Sequence, residues 1–286
     1  MKAPGIVGRA ALVGVVFVAT QSIATWLVPM KPMAMSPHAG SWWLLSTFIA
    51  AATLTVAATR SGWRGWRPAL AVALIPLAIQ LANLTEAVFF LKSTRLAIGP
   101  LMLRTLIAYA LAIPALVPIF GTTAGSPATS GTRPALTPRG VLWRFAACDV
   151  SYLFLYYLAG TIVITSSLHL RAFYQAQGTP PAGQIVAMQL LLRGPVFVGL
   201  CILLAAMMRL PRATGALAVG LAFTLLSGVV PLLVPNPFMP DPVRWVHFGE
   251  VVSSNLVFGS IVALLWSRRR EAGTAHDTSL AAPMPA

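Results

Sequence analysis

Eight stretches of the chain are apolar almost throughout and approach or exceed the length needed to cross a hydrocarbon layer, about 20 residues of helix. They run from Ile6 to Val28, Trp42 to Thr59, Ala69 to Leu91, Leu101 to Phe120, Val141 to Thr165, Ile185 to Met208, Ala213 to Val234 and Val246 to Trp266. None alternates apolar and polar residues with period two, so strands of a membrane barrel are a poor alternative. The pattern predicts an all-α, polytopic transmembrane bundle of eight spans, each helix satisfying its own backbone polar groups.

Basic residues between the spans give the expected orientation. One side would hold Lys2, then Arg60, Arg64 and Arg67, then Arg133 and Arg139, then Arg209 and Arg212, then Arg268, Arg269 and Arg270. The other would hold Lys31, Lys92, Arg95, Arg171 and Arg244. The heavier side is expected to face the cytoplasm, together with both termini, in a plasma membrane of the bacterial inner-membrane type. The first span also resembles a signal peptide, with Ser22-Ile23-Ala24 as a small-residue site, but apolar residues continue through Val28 and retention is expected.

The connections are short except for residues 121–140, rich in Gly, Ser, Thr and Pro, which read as a flexible cytoplasmic linker. On that reading the chain divides into a first four-helix membrane half (1–120), the linker, a second half (141–266) and a disordered cytoplasmic tail (267–286). No internal repeat relates the halves. The segment from Pro235 to Pro242 contains four prolines and reads as a stiff connector leading to the last span.

Composition agrees with the spans. Of 286 residues 57% are hydrophobic and 9% charged, where soluble domains carry about 25% charged residues, so a water-soluble enzyme is excluded. The formal charge of +14 would suit nucleic acid, but the bases flank apolar runs instead of forming a stripe with aromatics, and no nucleic-acid partner is expected. The expected partners are the lipid bilayer and a small solute or ion. The oligomeric state is not legible, and the residues name no cofactor. Cys148 and Cys201 lie within spans and read as small buried hydrophobes.

Charge inside a bilayer costs at least about 2.5 to 3.5 kcal/mol on insertion scales, so ionisable residues within spans are the informative ones. Glu86, Asp149 and Glu250 are half of the six acids, and Arg9, Arg104, Arg144 and Arg193 lie in spans as well. At 1.5 Å per residue, Glu86 lies about 7.5 Å from the outer end of its span and Glu250 about 6 Å; Arg104 and Arg193 lie about 4.5 and 12 Å deep. These groups gather toward the outer side, which predicts a polar cup there. Gln80, Asn83 and Glu86 recur every third residue, as do His247 and Glu250, so each set is expected on one helix face, turned inward. Leu192-Arg193-Gly194-Pro195 sets a helix breaker beside a cation, where a kink and an anionic partner are expected.

The same groups would knit the bundle with no chemistry if Glu86 paired with Arg104, Glu250 with Arg193 or Arg171, and Asp149 with Arg144. Glycine-rich phosphate loops, zinc helices, nucleophile elbows and paired-cysteine metal motifs are absent, so an enzyme is not the leading expectation. Three functions fit the residues. The first is a permease or ion-coupled carrier using Glu86, Asn83, Arg104, Asp149, Arg193, His247 and Glu250 as solute and proton sites. The second is an intramembrane enzyme on a lipid-linked or periplasmic substrate, with a metal held by Glu86, His247, Glu250 and His169. The third is a non-catalytic scaffold subunit. The carrier is the leading expectation, provided that the third and eighth spans share one space.

Overall fold

A computed structural model describes residues 5–30, 36–63, 65–91, 97–121, 137–178, 180–235 and 238–266. Among these, eight helices are long and apolar enough to cross a membrane. They are α1 (Ile6–Leu27), α2 (Ala39–Arg60), α3 (Trp66–Phe90), α4 (Ile98–Gly121), α5 (Pro138–Ser166), α7 (Ala182–Met208), α8 (Arg212–Leu233) and α9 (Asp241–Trp266). A short helix, α6 (Leu168–Gln177), joins α5 to α7. The fold is an all-helical bundle of the multi-pass membrane class; its described residues form no strand.

Several helices begin earlier than hydropathy alone predicts, for one recurring reason. Proline is tolerated in a first helical turn, where the missing N–H has no intrahelical partner. Thr137 caps α5 by accepting the Gly140 N–H at 3.2 Å, with Pro138 behind it. The last three residues of the stretch read as linker are thus helical, while residues 122–136 and the tail from 267 lie outside the described residues. Asp241 opens α9, where an acid complements the helix dipole, and Pro242 follows. Glu250 is therefore nine residues from its helix start, about 13 Å.

In the first half of the chain α1 packs on α2 and α4, and α3 on α4. Phe17 and Tyr109 meet edge to face at 5.6 Å between α1 and α4. In the second half α8 and α9 form the most extensive helix pair, and α9 also lies against α5 and α7. Small residues permit the α8–α9 approach, as is usual where lipid provides no hydrophobic drive between helices. A Cβ on Gly259 would stand 2.9 Å from the Gly220 Cα, and one on Gly220 would overlap Ser260 Oγ and the Leu256 carbonyl. The two sets of helices meet where α2 and α3 pack on α7 and α8. This junction carries the polar groups.

Candidate functional site

α7 departs from a regular helix just before Pro195. Gln189–Arg193 forms a π-helical turn, closed by the Gly194 N–H donating to the Gln189 carbonyl. Proline at 195 has no N–H and its ring presses on the preceding turn; the helix widens into a bulge at that turn, where a perturbation was expected. α8 repeats the device, with a π-turn at Leu225–Val229 two residues ahead of Pro231. Such bulges are frequent at functional sites.

The α7 bulge presents Gln189, fully buried, and Arg193, 8% exposed, to α3. Arg193 Nη1 pairs with Glu86 Oε2, and its Nη2 donates to Asn83 Oδ1 at 3.1 Å. Gln189 Nε2 donates to the other Glu86 oxygen at 3.3 Å. The Arg193 guanidinium also lies 4.9 Å over the Phe197 ring, a cation–π contact. Arg193 Nε and Gln189 Oε1 are buried with no hydrogen-bond partner.

On α9, His247 Nδ1 lies 2.6 Å from Glu250 Oε2. The two pairs line one cavity, which is completed by Tyr152 and Tyr156 of α5 and by Ser254 and Asn255 of α9. The cavity encloses about 30 Å³, room for about two waters at about 10–15 Å³ each. α3 and α9 thus contribute side chains to one space, and α7 supplies the cation that pairs with the α3 carboxylate.

An aromatic cluster closes one side. Tyr152 stacks edge to face on Phe197 and Phe258 at 5.5 and 5.1 Å, and Phe223 meets both of those rings at 5.1 and 5.6 Å. At the other side α6 packs against α5 and α9, and Tyr174 meets Phe90, at the end of α3, at 6.0 Å. Burial pushes the Tyr174 hydroxyl well above its ordinary pKa, and the charges of Glu86 and Glu250 add to that shift. Aromatic rings thus border the charged groups, with Tyr152, Tyr156 and Phe258 in the cavity wall itself.

The remaining candidates are placed elsewhere. Arg104 does not reach Glu86; its Nε donates to the Val28 carbonyl at 2.7 Å and so caps the end of α1. Arg171 folds back on the Ile164 and Thr165 carbonyls at the end of α5. Asp149 makes no ion pair with Arg144, and both Asp149 Oδ1 and Arg144 Nη1 are buried without hydrogen-bond partners. Asp149 Oδ1 lies against Gly194, where a Cβ would overlap it, and Asp149 is not among the cavity-lining residues. Gln80 is exposed and parts company with Asn83 and Glu86. A spacing of three falls about 60° short of a full turn, so two such steps carry Gln80 some 120° around the helix. His169 is exposed on α6, and among the described residues no three His, Cys, Asp or Glu side chains converge to hold a metal. The candidate metal set of Glu86, His247, Glu250 and His169 is therefore not assembled.

The sequence reading passed over Gln189, Ser254 and Asn255. The signal for Gln189 was its place four residues before Arg193, one turn of the same helix. Asn255 is a buried amide whose Nδ2 donates to Ser227 Oγ at 2.9 Å, fixing α9 to the bulge in α8. Comparison with family models, curated proteins and solved structures yields no match.

Proposed function

We propose that this protein is an ion-coupled carrier of a small solute in a bacterial plasma membrane. Both termini would face the cytoplasm, the segment between α4 and α5 would link two four-helix halves, and the cavity would be reached from the periplasmic side. One observation carries this reading: the Glu86–Arg193 and His247–Glu250 pairs, drawn from three helices, line one cavity together with Tyr152, Tyr156 and Phe258. Buried ion pairs are weak sources of stability, because desolvation offsets their attraction. A scaffold needs no such groups around a void, whereas a carrier needs titratable groups at a small enclosed site that the bundle can open to either side. A cavity of about 30 Å³ suits a small solute.

The test is reconstitution in vesicles enclosing a pH-sensitive dye. Wild-type protein is expected to give solute-dependent proton flux above that of empty vesicles, lost in Glu86→Gln and reduced in Glu250→Gln. Flux in both variants equal to wild type would eliminate the carrier mechanism.

A further inference from the structure

The cation that lines the cavity is already paired, by a side chain. Arg193 is a buried cation whose counter-ion is the Glu86 carboxylate. Its Nε has no partner, and the side-chain amide oxygen of Gln189, one turn earlier, is likewise unpartnered. The groups facing this pair are Asn83 on its own helix, Tyr152 and Tyr156 from α5, His247 and Glu250 from α9, and Tyr174 of α6, which is near enough to feel the Glu86 charge. Glu250 is itself held by His247.

We infer that Glu86 is a built-in stand-in for the solute, and that the solute is a small monoanion taken up with one proton. This rests on the carrier reading above. The exchange balances: Glu86 carboxylate, a proton and an external monoanion become Glu86 carboxylic acid and an Arg193–anion pair. The charge of the buried site is the same before and after. An anion entering alone would leave a surplus negative charge in a low-dielectric cavity, and a proton entering alone would leave Arg193 unpaired; each costs several kcal/mol. Entry of both together avoids either state, so one-to-one coupling follows from burial without a moving gate to enforce it. A cationic solute has no equivalent place, because the Glu86 carboxylate already has Arg193 as its cation and the Glu250 carboxylate is engaged by His247. The planar fork of Arg193 suits a carboxylate or another planar oxyanion of similar size.

The experiment measures proton uptake when sodium formate, sodium nitrate or sodium gluconate is added to weakly buffered, detergent-solubilised full-length protein, with binding followed by calorimetry. Formate and nitrate are expected to bind saturably with about one proton taken up per anion, and gluconate, too large for the cavity, not to bind. In Glu86→Gln the anion no longer competes with a carboxylate, so it should bind about tenfold more tightly with no proton uptake. The wild-type stoichiometry tests the inference by itself should that variant fold poorly. Anion binding without proton uptake overturns the coupling, and undiminished uptake in Glu86→Gln overturns the assignment to Glu86. If neither anion binds while vesicles still show solute-driven proton flux, the anion inference falls and the carrier reading stands. If the vesicles show no flux with any solute, the carrier reading itself fails.

Discussion

Arg193 and Arg244 are both buried arginines within long helices, and their surroundings differ in the way that separates a site from a staple. Every nitrogen of Arg244 is engaged: Nε and Nη2 donate to Asp241 Oδ1 at 3.1 and 2.9 Å, and Nη1 donates to the Leu232 and Leu233 carbonyls at 2.6 and 3.1 Å. It ties the end of α8 to the start of α9 across the proline-rich connector, satisfying carbonyls that a helix terminus leaves free. It also lies 4.7 Å over the Trp245 ring. Arg193 instead keeps a spare donor and borders a void. A buried cation whose donors are all engaged, as those of Arg244 are by a carboxylate and two backbone carbonyls, has nothing left to bind. One with a spare donor beside a cavity can exchange partners.

That contrast can be broken most forcefully at Arg193. Arg193→Ala leaves Glu86 without its counter-ion, and removing one member of a buried pair costs about 3 to 5 kcal/mol. Thermal unfolding in detergent should show this loss, and the double variant Arg193→Ala with Glu86→Ala should recover most of it while transport stays at the empty-vesicle level. A double variant no more stable than Arg193→Ala would refute the pairing. At Arg244 the effect is smaller and of a different kind. Arg244→Ala strands two carbonyls at the end of α8, a loss of about 1 to 3 kcal/mol by the same unfolding assay. Transport per folded molecule should be unchanged, and its abolition would erase the distinction drawn here. The smallest effect is expected at Asn255→Ala, which removes the Ser227 bond; interhelical hydrogen bonds in membranes average about 0.6 kcal/mol, with a maximum near 1.7.

The spans were legible because hydropathy at bilayer length is a strong constraint on single helices. Their ends were not, since Pro138, Asp241 and Pro242 read as loop residues until their places in first turns are known. α6 escaped notice as well. It has ten residues, too few to register as a span, and its start depends on Ser167 accepting the Leu170 N–H at 3.3 Å. At the site, the importance of Glu86, Asn83, Arg193, His247 and Glu250 could be read from the expense of polar groups in lipid. Their partners could not. Glu86 lies 103 residues from Gln189, and only packing decides that it meets α7 and not the nearer Arg104, which is drawn away to the end of α1. Both π-turns were similarly hidden: proline announces a perturbed helix, but the widened turn itself depends on the neighbours that hold it.

The most direct measurement of the central claim is infrared difference spectroscopy of the protein before and after addition of formate. Wild-type protein should gain the carbonyl stretch of a protonated carboxylic acid as Glu86 gives up Arg193, and Glu86→Gln should lack that band. A spectrum without the band despite bound formate, or one in which the band persists in Glu86→Gln, would contradict the exchange of partners at Arg193.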